Sequence, residues 1–249
     1  MPGIEGRVFH VNVNCSQLSH ALAFYRDRVG LSAVAHTQPT HPQPGDAFRL
    51  EEAQWDAWIL AGSSGLDGVA LDVLEWQRPR PHDAGQVGGW SVLRLGASAS
   101  TPLRKAPLCD PDGTMVEIVG RGDAHVAGVV LACSDPGASS EFCRDVLGLR
   151  STDGLTFFDD RGPSVFSIEL APTTAPWRSR AANDLGVYRV AFVTADLDRD
   201  HAALVAAGVR PFSPPATLDM GPGLPNVRAI VFPDPDGTAF ELIERPTPA

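Results

Sequence analysis

The chain of 249 residues carries 30 acidic residues, seven histidines and four cysteines, and their spacing limits the chemistry open to them. Cys15, Cys109, Cys133 and Cys143 form no CxxC pair and lie far apart, so neither a disulfide frame nor a structural zinc site is expected. Cys15 and Cys133 each precede a helical segment, where a helix N-terminus lowers a thiol pKa. Their equivalent placement in the two halves of the chain favours packing instead. Two acid-rich turns, CDPDGTMVEIVGR at 109–121 and PDPDGTAFELIER at 233–245, each deliver a glutamate into a strand. A carboxylate on an inward strand face is costly unless it meets a cation or a proton, and for Glu117 the nearby arginines Arg94 and Arg104 are candidate partners.

The elements that position these groups emerge from an internal repeat. VNVNCSQLSHALAFYRDRVGLS at 11–32 returns as VVLACSDPGASSEFCRDVLGLR at 129–150, an offset of 118, and the two DPDG turns recur at an offset of 124. Two matching blocks at nearly equal offsets make the chain two homologous halves, 1–122 and 123–249. In each opening block, alternation such as Val11, Val13 and Cys15 against Asn12 and Asn14 predicts a half-buried strand. Leu18, Leu22, Tyr25 and Val29 then recur at helical spacing, with Ser16 as the expected cap and Gly30 as the stop. Asp135-Pro136 supplies the corresponding start in the second half. Extended runs follow, SAVAHT, AFRLEEA, AWILAG and VALDVLEW in the first half and LTFFDD and SVFSIEL in the second. The second half then adds VYRVAFV, the helix DLDRDHAALVAAG and a last strand. In the first half, GWSVLRLGASAS runs almost directly into TPLRKAPLCDPDG, as though the matching helix were deleted.

Composition excludes several classes. A net charge of −10 with no cluster of Lys and Arg argues against a nucleic-acid partner. No apolar run is long enough to span a bilayer, and MPGIEGRVFHV does not read as a secretory leader, so a cytoplasmic protein is expected. With 43% hydrophobic residues the chain is globular.

A βαβββ unit used four times, FYRDxxGL closing the helix and DPDGxxxEL or DPDGxxxEI in the last strand, resembles the vicinal oxygen chelate superfamily. That group takes in glyoxalase I, bleomycin-resistance proteins, extradiol dioxygenases and methylmalonyl-CoA epimerase. The resemblance covers residues 7–246 and implies an α+β fold of tandem modules, the second without its helix, whose curved mixed sheets form cups. It also implies metal ligands from the first and last strands of each unit. The first-strand positions here are His10, Ser91, Gly128 and Arg189, and the last-strand positions Asp72, Glu117, Glu169 and Glu241. His10, Asp72 and Glu117 therefore form the implied ligand and catalytic set in the first half, suited to Zn²⁺, Fe²⁺, Mn²⁺ or Ni²⁺. Ser91 stands where a second histidine would be, which disfavours ring-cleaving dioxygenase chemistry. In the second half Gly128 offers no donor and Arg189 repels a metal, so no metal is an equally good expectation there. Arg189 with Glu169 and Glu241 would form an ion-paired floor or bind a substrate anion. Trp58 and Trp76 on cup strands offer a surface for a planar ligand, while Trp55, Trp90 and Trp177 are expected to pack. His36 and His41 fall within reach of the cup rim.

Two functions follow from the resemblance. One is an enzyme, of isomerase, lyase or cyclase type, that moves a proton on a small oxygenated metabolite with a divalent metal or an acid–base pair in the N-terminal cup. The other is a metal-free protein that sequesters a small molecule. Four units allow a monomer or a homodimer with two cups. Whether unit one pairs with unit two or with unit four is open in the sequence.

Overall fold

Alternating apolar and polar residues become sixteen strands among the described residues, in a computed structural model that describes residues 3–83, 85, 88–99, 108–174 and 178–245. The first unit comprises β1 (Arg7–Asn14), a helix α1 (Leu18–Leu22) continued by a π-helical turn (Ala23–Val29), β2 (Ser32–Thr37), β3 (Gln43–Pro44), β4 (Glu52–Ala61) and β5 (Ala70–Arg78). The second has β6 (Gly89–Ser98), β7 (Leu108–Cys109) and β8 (Met115–Gly122). Its expected missing helix falls on a segment containing residues 100–107, which lie outside the described residues. The third unit runs β9 (His125–Cys133), α2 (Pro136–Glu141), β10 (Arg150–Ser151), β11 (Thr156–Asp159) and β12 (Phe166–Pro172). The fourth runs β13 (Gly186–Thr194), α3 (Leu197–Ala206), β14 (Ala216–Leu218), β15 (Val227–Pro233) and β16 (Ala239–Glu244). This is an α+β fold of tandem modules.

Each sheet takes one unit from either half of the chain. The larger has the order β14-β15-β16-β13-β1-β5-β4-β2, with β3 on β4, and so joins unit four to unit one through the antiparallel pair β1–β13. The smaller, β10-β11-β12-β9-β6-β8-β7, joins unit three to unit two through β6–β9. Within a unit the last strand lies parallel to the first, as β5 does to β1 and β16 to β13.

The helices and the faces of both sheets turned toward them share the main core, which includes Phe24, Tyr25, Phe142, Leu197 and Phe240. Fully burying one such side chain contributes about 1.5–3 kcal/mol. Helix stops fall at glycines as read: Gly30 takes φ 100°, a left-handed conformation that costs a side-chain-bearing residue 1 kcal/mol or so. Asp135 caps α2 by accepting from the backbone N–H groups of Gly137 and Ala138. Ser16 does not cap α1. Its N–H and hydroxyl donate instead to Asp112 of the first DPDG turn, at 2.9 and 2.5 Å, while Glu75 accepts from the N–H of Leu18. Ser134 and Asp236 repeat this staple, so each turn ties its own sheet to a strand–helix junction of the other. AFRLEEA is not one strand. A single 3₁₀ turn at Asp46–Phe48 ends on Arg49 in the left-handed region, φ 56°, and β4 starts only at Glu52.

Candidate functional site

The helix-free, concave face of the larger sheet holds a second apolar cluster, including Phe48, Trp55, Trp76 and Tyr188. Four ionisable side chains are sunk into it. Register explains why they meet. Asn12 on β1 lies opposite Arg189 on β13 and opposite Asp72 on β5, while Ala191 lies opposite both His10 and Glu241. Residues two apart on a strand share a face, so His10 and Asn12 from unit one, and Arg189 from unit four, converge with Asp72 and Glu241 from the flanking strands. The β1–β13 register skips Phe9, a bulge that lets Phe9 and His10 both line the cup.

The contacts are close. Arg189 Nε donates to Glu241 Oε2 at 2.7 Å and its Nη2 to Asp72 Oδ2 at 3.5 Å. Asn12 Nδ2 donates to the same Asp72 oxygen at 3.0 Å. His10 Nε2 lies 3.6 Å from Glu241 Oε2 and 3.8 Å from Asp72 Oδ2, beyond hydrogen-bond reach. Both ring nitrogens of His10 are buried and without a hydrogen-bond partner among the described residues, and so is Nη1 of Arg189. His10, Asp72, Arg189 and Glu241 are all 5% exposed or less, which matters because desolvation penalises the charged form of each. Burial, then the neighbouring Arg189 charge, holds His10 well below the usual imidazole range, so the ring is neutral. Burial also raises the Asp72 carboxyl to about 6, against the opposing pull of Arg189.

Above this floor is a cavity of about 150 Å³, close to the volume that an engineered apolar pocket needs to take up benzene. Its wall is mostly apolar, with Phe9, Phe48, Trp55, Ile59 and Ile243 among its residues. Trp58 is on the other face of β4, because residues three apart on a strand point to opposite sides. It stacks on His36 at 4.6 Å, and His36 pairs with Asp56; Trp55 takes the cup-facing role instead. Trp76 stands behind the wall, edge-on to Trp55 at 6.1 Å, its Nε1 donating to Asn14. Exposed His41 is not among the cavity residues, and Trp177 and Arg104 lie outside the described residues.

Glu117 and Glu169 are on the smaller sheet, apart from His10. There Arg94 bridges them, at 2.7 and 2.6 Å. The grouping of His10 and Asp72 with Glu117 is therefore not formed, because unit one closes its sheet with unit four rather than unit two. Asn12, Trp55 and Phe9 complete the cup. Asn12 shares the strand parity of His10, which was the available signal; the bulge that turns Phe9 inward leaves none.

Residues 124–242 match the profile of the family described as the Glyoxalase/Bleomycin resistance protein/Dioxygenase superfamily. The C-terminal half thus matches the vicinal oxygen chelate superfamily, and the fold of the whole chain is similar to it. Glyoxalase I from Zea mays is similar in structure, at a TM-score of 0.65 and 17% identity over 96% of this chain and 92% of that one. So is a proposed dioxygenase from Bacillus subtilis subsp. subtilis str. 168, at 0.62 and 16% over 99% and 87%. At these identities the likeness speaks for the fold. No curated protein matches the chain in sequence.

The positions in the larger cup that correspond to the superfamily's ligands, as the resemblance implies, are His10, Asp72, Arg189 and Glu241. The fourth is a cation, and it binds Glu241 Oε2 and Asp72 Oδ2, the very oxygens that face His10. A divalent ion would have to displace a buried guanidinium to reach them. The donor set does not fit the metal that the superfamily implies. Among the described residues no group of three or more His, Cys, Asp or Glu is placed to hold one, and no helix is long and apolar enough to cross a membrane.

Proposed function

We propose that the larger cup is a metal-free acid–base site, in which a small oxygenated molecule undergoes an isomerase- or lyase-type proton transfer. One observation carries this reading: a buried neutral histidine, both nitrogens unengaged, faces an apolar cavity beside an unengaged guanidinium N–H. A satisfied structural histidine would have a partner for at least one nitrogen.

The steps balance with these groups alone. A substrate carbonyl oxygen accepts a hydrogen bond from Arg189 Nη1. His10 Nε2 removes a proton from the adjacent carbon, whose C–H electrons become the carbon–carbon double bond as charge moves to the oxygen beside Arg189. The imidazolium formed lies 3.6 and 3.8 Å from Glu241 and Asp72, which stabilise it. Where the deprotonated carbon bears a hydroxyl, passage of the hydroxyl proton to the first oxygen and return of the imidazolium proton to the former carbonyl carbon give the isomeric hydroxy carbonyl compound; a substituent on the next carbon that leaves with its bonding pair and takes the imidazolium proton gives the unsaturated carbonyl compound. The neutral ground state of His10 makes it available as a base across neutral pH. A second reading, capture of a guest without turnover, is favoured by the apolar wall.

Proton exchange separates the two. Small ketones and hydroxyketones in D₂O, followed by ¹H NMR, should lose the signal next to the carbonyl for at least one compound. Replacing His10 by Gln should slow that loss about 100-fold or more, the usual scale of general-base catalysis, and EDTA should not affect it. Exchange unchanged by His10→Gln, or abolished by EDTA, would defeat the reading. Binding with no exchange would favour capture.

A further inference from the structure

We infer that Arg245 is an anchor at the mouth of the cup for a carboxylate, and that the ligand is a small oxo acid lying with its neutral carbonyl at the floor. This rests on the cup being the ligand site. Glu241, Ile243 and Arg245 all line the cavity, as alternate residues along β16 and its continuation must. At about 3.3 Å per residue the Arg245 backbone stands some 13 Å from that of Glu241, so one strand carries an acid at the floor, an apolar step and a cation at the rim. The Arg245 guanidinium lies over the Phe9 ring at 5.3 Å, and Phe9 packs edge-on to His10 at 5.4 Å. No ion pair engages Arg245 among the described residues.

Charge decides the orientation. The floor sets one guanidinium against two carboxylates, so a third carboxylate there would be repelled, whereas a neutral carbonyl can accept from Arg189 Nη1. At the mouth Arg245 is the sole ionisable side chain among the cavity-lining residues other than the floor groups. In a chain of net charge −10, whose overall field disfavours anions, an arginine at the entrance that no ion pair engages among the described residues selects a guest that the remaining surface would repel. The 150 Å³ between the two ends holds an apolar body of about benzene size.

Calorimetric titration of the full-length protein with 4-oxopentanoate, 5-oxohexanoate and 6-oxoheptanoate, each against its methyl ester, tests this. At least one acid should bind about fivefold or more tightly than its ester, the scale of a partly exposed ion pair, and added salt should narrow the gap. Arg245→Gln should remove the preference while leaving ester affinity within about twofold. Equal affinity of acid and ester, or a preference that survives Arg245→Gln, would overturn the anchor and leave the floor reading standing. If neither series binds at millimolar concentration, both fall. Arg245→Lys should keep part of the preference, which a purely steric role would not.

Discussion

Replacing Arg189 by His should turn the cup into a metal site, and the size of the effect follows from the contacts. Arg189 holds Glu241 at 2.7 Å and Asp72 at 3.5 Å, with all three side chains buried. Removing one partner from a buried ion pair costs about 3–5 kcal/mol. For a chain of this length 1 kcal/mol corresponds to about 2–4 °C in Tm, so metal-free Arg189→His should melt about 6–20 °C below wild type. The substitution also frees the two oxygens that lie 3.6 and 3.8 Å from His10 Nε2. Donors sharing a tetrahedral ion at 2.0–2.1 Å stand about 3.3 Å apart, so movements of a few tenths of an ångström would let His10, Asp72, Glu241 and the introduced imidazole close on Zn²⁺. At 100 times its Kd the ion should return about 2.7 kcal/mol, visible as recovery of most of the lost Tm, with about one zinc per chain by elemental analysis. Wild type should show no shift and less than a tenth of an ion per chain. If the variant melts like wild type and takes up no zinc, or if wild type loads a full equivalent, the reasoning that Arg189 stands in a metal's place is wrong.

Three further outcomes follow. Because burial holds Asp72 at about 6, above its ordinary 3.8, the folded state binds that proton more tightly than the unfolded chain. Stability is therefore present below pH 4 and lost as pH rises through 6, by about 3 kcal/mol; denaturant titrations should show Asp72→Asn flattening that decline, leaving the part due to Asp234, raised to about 7. His10→Phe removes two unpartnered buried nitrogens, so it should keep or raise Tm while ending proton exchange, and a fall of more than 2 kcal/mol would mean that His10 has a structural partner after all. Arg94→Met breaks the same kind of bridge in the smaller sheet, but both its carboxylates are more than a third exposed, so its effect should stay within about 1 kcal/mol.

The repeat, the strand parity and the positions of His10, Asp72, Arg189 and Glu241 were legible in the sequence, because period-2 alternation and the DPDG turns are local signals. Which unit pairs with which was not. Both seams join first strands of similar composition, β1 with β13 and β6 with β9, and nothing near either strand specifies its partner. That one choice separates Glu117 from His10 and gives Asp72 and Glu241 a common arginine. Trp55 and Trp58 illustrate a smaller gap: two aromatics three residues apart cannot face one cup, and parity alone does not say which of them does. The bulge at Phe9 and the left-handed Arg49 depend on tertiary packing and leave no trace in the pattern.

The nested pairing of the units also sets an order of assembly. The smaller sheet is built from one continuous stretch, residues 89–172, and its seam, β6 with β9, closes over residues 99–124. The larger sheet needs β1 to meet β13, whose partners in register begin more than 170 residues later, a closure with a far greater entropic cost. During synthesis, β1 must wait with an unpaired edge until β13 emerges. The cup, which takes His10 from β1 and Glu241 from β16, is completed after the inner sheet, so a chain cut short between β12 and β16 would keep every strand of that sheet and lack the floor of the site.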